Sequence, residues 1–192
     1  MSGFYHEGMR AQQDATQGRA VADRLEEHRM HRSFSEADIA MIQAAPFFFL
    51  STASETSTDC SFKGGMPGFV RVTGANTLEW PDYDGNRMYR SLGNIALNPR
   101  VGLLFIRFDG NFDGLAARMR INGQAEIIAG DPRHISVTAD HIFPNCPRYI
   151  PQMALTSPSE HAPREGHTAP TPEWKTMPWV SDIFEEEERG KP

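Results

Sequence analysis

The sequence predicts a mainly β protein in which antiparallel strands form a barrel or sandwich with helices at its periphery. The segment "ARMRINGQAEII", residues 117–128, alternates apolar and polar side chains, which is typical of a strand with one face against a core. Other short apolar or alternating runs follow one another closely, with turn-forming residues between them. Strands and helices do not alternate regularly along the chain, so the pattern favours an antiparallel core over a parallel sheet.

Residues 1–45 are predicted to form a helical arm ahead of the β core. Residues 8–29 are polar, free of proline and rich in helix formers, and Val21 and Leu25 are spaced to form a thin apolar stripe. We therefore expect one exposed helix there. A shorter helix is predicted after Ser35, which is a suitable N-cap with Asp38 completing a capping box.

Four segments between residues 47 and 108 have the composition of strands. The run "FFFLSTA" is short, apolar and aromatic, which favours a buried strand. In "GFVRVTG", Val70 and Val72 are expected on the core side and Arg71 on the other. "TLEWP" and "VGLLFIRF" complete the set, and the last is apolar on both faces. Because a single barrel would leave one of those faces uncovered, this run predicts a homodimer.

A polar connection, "WPDYDGNRMYRSLGN", lies between two of these strands. A helix is predicted there with Asp84 as its N-cap, an apolar face and a polar stripe opposite. The apolar positions are Met88, Leu92, Ile95 and Ala96, and the stripe consists of Arg87, Arg90, Ser91 and Asn94.

The position of Arg87 in this predicted helix indicates an anion site. A cation in the first turn opposes the helix dipole, but an anion between the two would interact favourably with both. Lys63, which is followed by two glycines that allow close backbone approach, is a second basic element. We therefore expect a phosphate here, the alternative being an ordinary surface ion pair of Arg87 with Asp82 or Asp84.

Composition excludes several classes of function. The net charge is −6, and four of the acidic residues stand together near the C-terminus, so the chain lacks the basic surface of a nucleic-acid-binding protein. The sequence has no apolar run long enough to span a membrane and no signal peptide at its start, which predicts a cytoplasmic protein. Histidine pairs occur without a third ligand nearby, so we expect no metal site. From Pro144 the chain becomes rich in proline, and residues 157–192 are predicted to form a weakly structured acidic tail after a domain at 46–156.

Several motifs together resemble a known family. The order "SFKGGMPGFVRV", "TLEWPDYDGNRMYRSLGNIALNPRVGLLFI" and "RMRINGQAEI" resembles the pyridoxamine 5′-phosphate oxidase-like family of flavin-binding split barrels. "FYHEGMRAQQD" and "NCPRYIP" are similar to a flavin-nucleotide-binding subgroup of it, so the resemblance covers about residues 4–153. It implies a six-stranded antiparallel split β-barrel that dimerises, with a flavin, usually FMN and also FAD, in each of two clefts between the subunits.

The resemblance also implies which residues bind the flavin. They fall on the strand edges, on the polar connection and on the partner subunit. Ser61 and Lys63 would lie near the flavin; Phe69, Val70 and Arg71 would pass its ring and phosphate; Trp80, Pro81, Asp82 and Tyr83 would line the ring; Asn86 and Arg87 would hold the phosphate, with Ser91 and Asn94 beside it; and Arg120 or Gln124 would come from the partner.

The function implied is an FMN-dependent oxidoreductase acting on a small molecule, with NADH or NADPH as a possible electron donor. The chain ends in "MPWVSDIFEEEERGKP", where true pyridoxamine phosphate oxidases have a tryptophan- and arginine-containing segment that binds the substrate phosphate. A vitamin B6 phosphate is therefore not the expected substrate. The alternatives are a flavin carrier or sensor without turnover, and a haem- or deazaflavin-binding relative on the same fold.

Overall fold

The computed structural model describes residues 3–83, 85–110 and 117–184, and its centre is one antiparallel sheet of seven strands in the order β2-β1-β5-β6-β7-β4-β3. The strands are β1 Phe47–Ala53, β2 Thr58–Gly64, β3 Arg71–Val72, β4 Thr77–Pro81, β5 Arg100–Ile106, β6 Arg118–Ile128 and β7 His134–Asn145. The prediction of a mainly β fold with peripheral helices is confirmed. Six strands have five residues or more, and the seventh is the two-residue β3.

The sheet curls into an open barrel. Strands β1 and β4 are separated by three others in the sheet, yet the rings of Phe48 and Trp80 meet across the interior with centroids 5.0 Å apart. The two end strands, β2 and β3, are not paired with each other in the part of the chain that the structure describes. The barrel is therefore split, as expected.

The core follows from the alternation of side chains along the strands. On β6, Met119, Ile121, Gly123 and Ala125 are buried, while the residues that alternate with them are half-buried or exposed, as the sequence predicts. The long hydrogen-bonded ladder between β6 and β7 shifts register at Asn122 and Gly123, where the chain bulges. These side chains and those of β1, β4 and β5 fill the barrel interior.

Four helices lie outside the sheet: α1 Glu7–Ala15, α2 Arg19–Arg29, α3 Glu36–Ala44 and α4 Arg90–Leu97. The prediction of a single helix over residues 8–29 is wrong, because Gln17 has a positive φ of 55° and the chain forms two helices separated at Gln17 and Gly18. Val21 and Leu25 are exposed, so their stripe faces away from the core. The capping box of α3 is confirmed, with Ser35 and Asp38 bonded reciprocally.

Two strand assignments are corrected. In "GFVRVTG" only Arg71 and Val72 pair in the sheet, and Phe69 is buried together with Val70 because the chain turns there instead of alternating. Strands β2 and β7 were not predicted from the sequence. In β7, His134–Thr138 alternates polar and buried apolar residues, but the histidines, aspartate and proline of this strand obscure the pattern.

The helix in the polar connection begins later than predicted. Helix α4 starts at Arg90, since Arg87 and Tyr89 both have left-handed backbone conformations, with φ of 58° and 50°. Arg87 therefore lies in the loop before the helix, and its predicted place in the first turn is wrong. Met88 is exposed rather than apolar core. The predicted N-cap, Asp84, lies outside the described residues.

The chain divides into two compact units, residues 1–154 and 155–192. The second unit contains two short 3₁₀ helices, Glu173–Thr176 and Ser181–Ile183, and an edge-to-face contact between Trp174 and Phe184. No helix in the described parts of either unit is long and apolar enough to cross a membrane.

Candidate functional site

A cavity of about 480 Å³ lies between the edge strand β2, the N-terminal end of α4 and the loop after β4. This volume is in the range of small-molecule binding sites. Four cationic side chains and two carboxylates line it: Lys63, Arg87, Arg90, Arg133, Asp59 and Asp82.

Strand β2 forms one wall of the cavity. Residues two apart on a strand point to the same side, which brings Asp59, Ser61 and Lys63 onto one face of β2. Because β2 is the last strand of the sheet on this side, its outer edge pairs with no further strand in the described chain. The cavity is thus built on a rigid edge with alternating polar groups.

Helix α4 is held against the sheet by its amide side chains. The Asn94 side chain donates a hydrogen bond to the Thr52 hydroxyl at 3.1 Å, and Asn98 donates to the carbonyl of Ala53 at 2.9 Å. Asn94 and Ser91 are buried against the sheet, whereas Arg87 and Arg90 of the same predicted polar stripe are exposed. These bonds place the first turn of α4 at the cavity.

The Ser91 hydroxyl links the helix to β2. It lies 2.9 Å from a carboxylate oxygen of Asp59 and 2.9 Å from the hydroxyl of Ser61. Arg90 binds the other oxygen of Asp59 through Nε at 3.4 Å and the carbonyl of Thr58 through Nη2 at 3.2 Å. Asp59 therefore organises two consecutive residues of α4.

Arg133 closes the opposite side of the cavity. Its Nε donates to Asp82 at 2.9 Å, Nη2 donates to the same carboxylate oxygen, and the backbone N–H of Asp82 donates to the carbonyl of Arg133 at 2.7 Å. The guanidinium also lies over the ring of Tyr89, 5.4 Å from its centroid. Arg133 thus contacts both ends of the loop that carries Asn86 and Arg87.

Burial shifts the pKa of two titratable side chains in this cavity. The pKa of Lys63 is lowered mainly because burial disfavours the ammonium, an effect that the nearby Asp82 and Asp59 oppose. Burial also raises the pKa of Tyr83, whose ring packs against the core. In the described chain Lys63 has no carboxylate within ion-pair distance, so an incoming anion would compensate part of its desolvation.

The structure brings about half of the sequence-predicted site residues together. Those that line the cavity are Ser61, Lys63, Asp82, Tyr83, Asn86, Arg87 and Ser91. Asn86 accepts a hydrogen bond from the backbone of Met88 at 3.0 Å and so shapes the loop beside Arg87.

The other predicted residues lie elsewhere in this chain. Phe69, Val70 and Trp80 have buried core side chains, and Pro81 ends β4 without lining the cavity. Arg71 is exposed on β3 and pairs with Glu79 at 2.8 Å. Asn94 is used in its bond to Thr52.

The two residues expected from a partner subunit lie on β6, away from the cavity. Arg120 borders a second hollow of about 390 Å³ beside β1 and β5 and bonds Asn145 on β7. Gln124 is exposed and pairs in register with Arg100. Neither side chain lines the cavity of this chain.

Sequence reasoning missed Asp59, Tyr89 and Arg133 as lining residues. Asp59 could have been found, because it precedes Ser61 and Lys63 at the same two-residue spacing on β2. Arg133 offered no such signal, since it follows a cis Asp131–Pro132 bond in a turn that only the curl of the sheet brings beside Asp82.

The fold is an open antiparallel barrel with a polar, cation-rich cavity beside its edge strand. The chain belongs to the pyridoxamine 5′-phosphate oxidase family, because the sequence profile of that family matches residues 34–156, more than half of its length. The match includes every described residue that lines the cavity.

Several solved structures are similar to this chain at low identity. HupZ of Group A Streptococcus is 14% identical over 58% of this chain and 93% of its own, with a TM-score of 0.44. An FMN-binding protein of Syntrophomonas wolfei is 10% identical over 68% of this chain and 95% of its own, with a TM-score of 0.42. A FAD-binding protein of Mesorhizobium loti is 9% identical over 59% and 94%, with a TM-score of 0.40. Likeness at this level does not indicate a shared ligand, and no curated protein matches the sequence.

Proposed function

We propose that the cavity binds flavin mononucleotide and that the protein is a flavin-dependent oxidoreductase acting on a small molecule. The observation that carries this proposal is the convergence of four cationic side chains on one cavity of about 480 Å³ in a chain of this family. The described carboxylates of the cavity, Asp59 and Asp82, are each already engaged by an arginine.

The charge of the cavity suits a phosphate monoester. Lys63 on β2 and Arg87 in the loop before α4 both line the cavity, and the first turn of α4 adds backbone N–H groups at the positive end of the helix dipole. Such an arrangement combines a point charge, a guanidinium and backbone donors on one dianion. A neutral ligand would gain nothing from these positive charges.

The rest of the cavity suits a flat ring with a polar chain. Tyr83 and Leu92 are half-buried and supply apolar surface, and Phe62 and Met88 border the opening. Ser61 supplies a hydroxyl on the β2 wall. These residues fit a flavin, which combines an aromatic ring, a hydroxylated chain and a phosphate.

When bound, a flavin supplies hydride and electron transfer, so the protein needs no nucleophile of its own. The residues of this chain would bind the phosphate, orient the ring and limit access of water. The family name suggests pyridoxamine 5′-phosphate as a substrate, but the C-terminal sequence has a run of four glutamates at residues 185–188 where the resemblance implies a phosphate-binding segment, so we do not propose that substrate.

We also propose a homodimer. The face of the sheet away from the core carries Phe47, Phe49 and Phe62, whose rings lie 5.0 to 6.0 Å apart, and Leu104 stands opposite Phe49 in the register. Phe62 is 61% exposed in the single chain. An aromatic surface of this kind favours a second copy as its cover. Light scattering at micromolar concentration is expected to give twice the chain mass, and Leu104→Glu to give a monomer; a monomeric unsubstituted protein would overturn the dimer.

The function is tested on the purified protein. We expect a bound yellow chromophore that mass spectrometry of the released molecule identifies as FMN, and repeated reduction by NADH or NADPH when an electron acceptor is present. Bound FMN without turnover would support the carrier instead. Released FAD, deazaflavin or haem, or no affinity for added FMN, would overturn the proposed cofactor.

A further inference from the structure

In the hydrogen bonds between β2 and α4, the chemistry of the side chains determines which group donates and which accepts. Asp59, Ser91 and Ser61 form a chain of two contacts, each 2.9 Å long. An ionised carboxylate only accepts hydrogen bonds, whereas a hydroxyl donates one proton and accepts others. The proton of Ser91 therefore lies on the bond to Asp59.

The same reasoning settles the second contact. Since Ser91 has no further proton, the hydroxyl of Ser61 is the donor in the contact between the two serines. Arg90 binds the other oxygen of Asp59 and keeps that carboxylate in place. Ser91 is buried, which favours keeping both of its hydrogen bonds over exchanging them with water.

Ser61 consequently presents lone pairs, and no proton, to the cavity that it lines. A phosphate oxygen is itself an acceptor and gains nothing from such a group. A ligand hydroxyl or N–H group, in contrast, donates to it directly. The negative charge of Asp59, which also lines the cavity, adds to this preference and favours a phosphate position toward Lys63 and Arg87.

We propose that Asp59 is a specificity-determining residue: through Ser91 it holds Ser61 as a hydrogen-bond acceptor, and the subsite at Ser61 takes a hydrogen-bond donor of the ligand. The inference rests on the proposed function, in which the ligand is a flavin. Its donors are the hydroxyls of the ribityl chain and the N3–H of the ring. Ser91, expected from the family resemblance to lie beside the phosphate, has no proton left for one.

The substitution Asp59→Asn should reverse the chain. The amide oxygen can keep the bond from Arg90, which turns the NH₂ group toward Ser91 as a donor. Ser91 then donates to Ser61, and the proton of Ser61 points into the cavity. The reversal changes the character of Ser61 without altering Ser61 itself.

The test is a double-substitution cycle with riboflavin, which has both kinds of donor and no phosphate. Ser61→Ala in the otherwise unchanged protein should weaken riboflavin binding about 3- to 10-fold, the value of one neutral hydrogen bond. In the Asp59→Asn background the same substitution should cost nothing further, and the two changes should be strongly non-additive. Asp140→Asn, the same chemical change on β7 outside the cavity lining, is the control and should leave the Ser61→Ala effect intact.

Lumiflavin, which keeps the ring N3–H and lacks the ribityl hydroxyls, separates the two sources of the donor. A Ser61→Ala loss that persists with lumiflavin assigns the subsite to the ring, and a loss confined to riboflavin assigns it to the ribityl chain. Should Asp59→Asn fail to fold by circular dichroism, Ser91→Ala removes the acceptor of the Ser61 proton, so Ser61 is no longer held as an acceptor only and the Ser61→Ala effect should become smaller; an unchanged effect would overturn the inference.

Two failures are distinguishable. If the unchanged protein binds riboflavin and Ser61→Ala costs the same in every background, the hydrogen-bond chain has no role in specificity, and only this inference is overturned. If the unchanged protein binds neither riboflavin nor FMN, the proposed function falls and this inference falls with it.

Discussion

The contact between Arg133 and Asp82 should determine how tightly the cavity holds a phosphate. Arg133 is expected to act through the loop between Asp82 and Tyr89, because it binds a residue at each end and the loop carries Arg87. Replacing Arg133 with alanine removes both attachments and leaves Arg87 on a less ordered segment.

The magnitude follows from the exposure of the pair. The side chains of Arg133 and Asp82 are 38% and 19% exposed, so the ion pair is partly screened and is worth about 1 kcal/mol, between the values of surface and buried charged hydrogen bonds. The contact with Tyr89 adds about 0.5 to 1 kcal/mol. If most of this energy orders the loop, Arg133→Ala should weaken FMN binding about 5- to 30-fold.

The assay is titration of the protein with FMN, followed by the quenching of flavin fluorescence, for Arg133→Ala, Arg133→Lys, Asp82→Ala and the double alanine variant. Arg133→Lys keeps the charge but loses the two-pronged contact, so it should recover only part of the affinity. The double variant should bind no more weakly than Arg133→Ala. Tighter binding by Asp82→Ala would refute the reasoning, because it would mean that Arg133 acts on the phosphate directly and that Asp82 competes for it.

Three further predictions concern pH, the bulge and the tail. The pKa of Lys63 in the folded, unliganded protein lies below its ordinary 10.5, so the stability of that state should rise as the pH increases from the folded pKa towards 10.5. FMN affinity, measured by titration at several pH values, should fall over the same range because the phosphate needs the ammonium. Riboflavin affinity should change little, and Lys63→Arg should abolish the fall for FMN. Gly123→Ala should lower the free energy of unfolding in urea by about 1 to 3 kcal/mol, because a Cβ there would collide with the backbone of Thr138 and lie 3.0 Å from the Cα of Ala139. The control is Gly93→Ala, which places its Cβ in open space on α4 and should not destabilise the fold. A chain ending at Thr156 should keep the FMN affinity of the full protein, since no described lining residue lies beyond Arg133; loss of that affinity would place part of the site in the tail.

The sequence predicts those parts of the fold that depend on local pattern. The alternation on β6, the capping box of Ser35 and the apolar run of β1 are local signals, and each appears in the structure with almost the expected bounds. The predicted start of α4 was wrong because two non-glycine residues, Arg87 and Tyr89, adopt left-handed backbone conformations that the sequence does not indicate.

The candidate site was predictable only where neighbouring residues on one element share a face. Arg87 and Ser91 lie close together along the chain, whereas β2, which brings Ser61 and Lys63 onto one face, was not predicted, and Ser61 was expected only from the family resemblance. The contact of Arg133 with Asp82 joins residues 51 positions apart and depends on the curl of the sheet, which no local pattern specifies. Ser91 and Asn94 were expected beside the phosphate, but in the structure they donate hydrogen bonds to Asp59 and Thr52, contacts that no local pattern indicates.

The central claim, that this cavity binds the phosphate of a flavin mononucleotide, is tested most directly by comparing FMN with riboflavin in Arg87→Ala. A charge-assisted hydrogen bond is worth roughly 1.5 to 3 kcal/mol, so FMN should bind about 10- to 100-fold more weakly, while riboflavin, which lacks the phosphate, should bind nearly as before. The matched control is Arg24→Ala, an exposed arginine on α2 outside the cavity lining, which should change neither affinity. Equal losses for FMN and riboflavin in Arg87→Ala, or no loss for either, would contradict the claim.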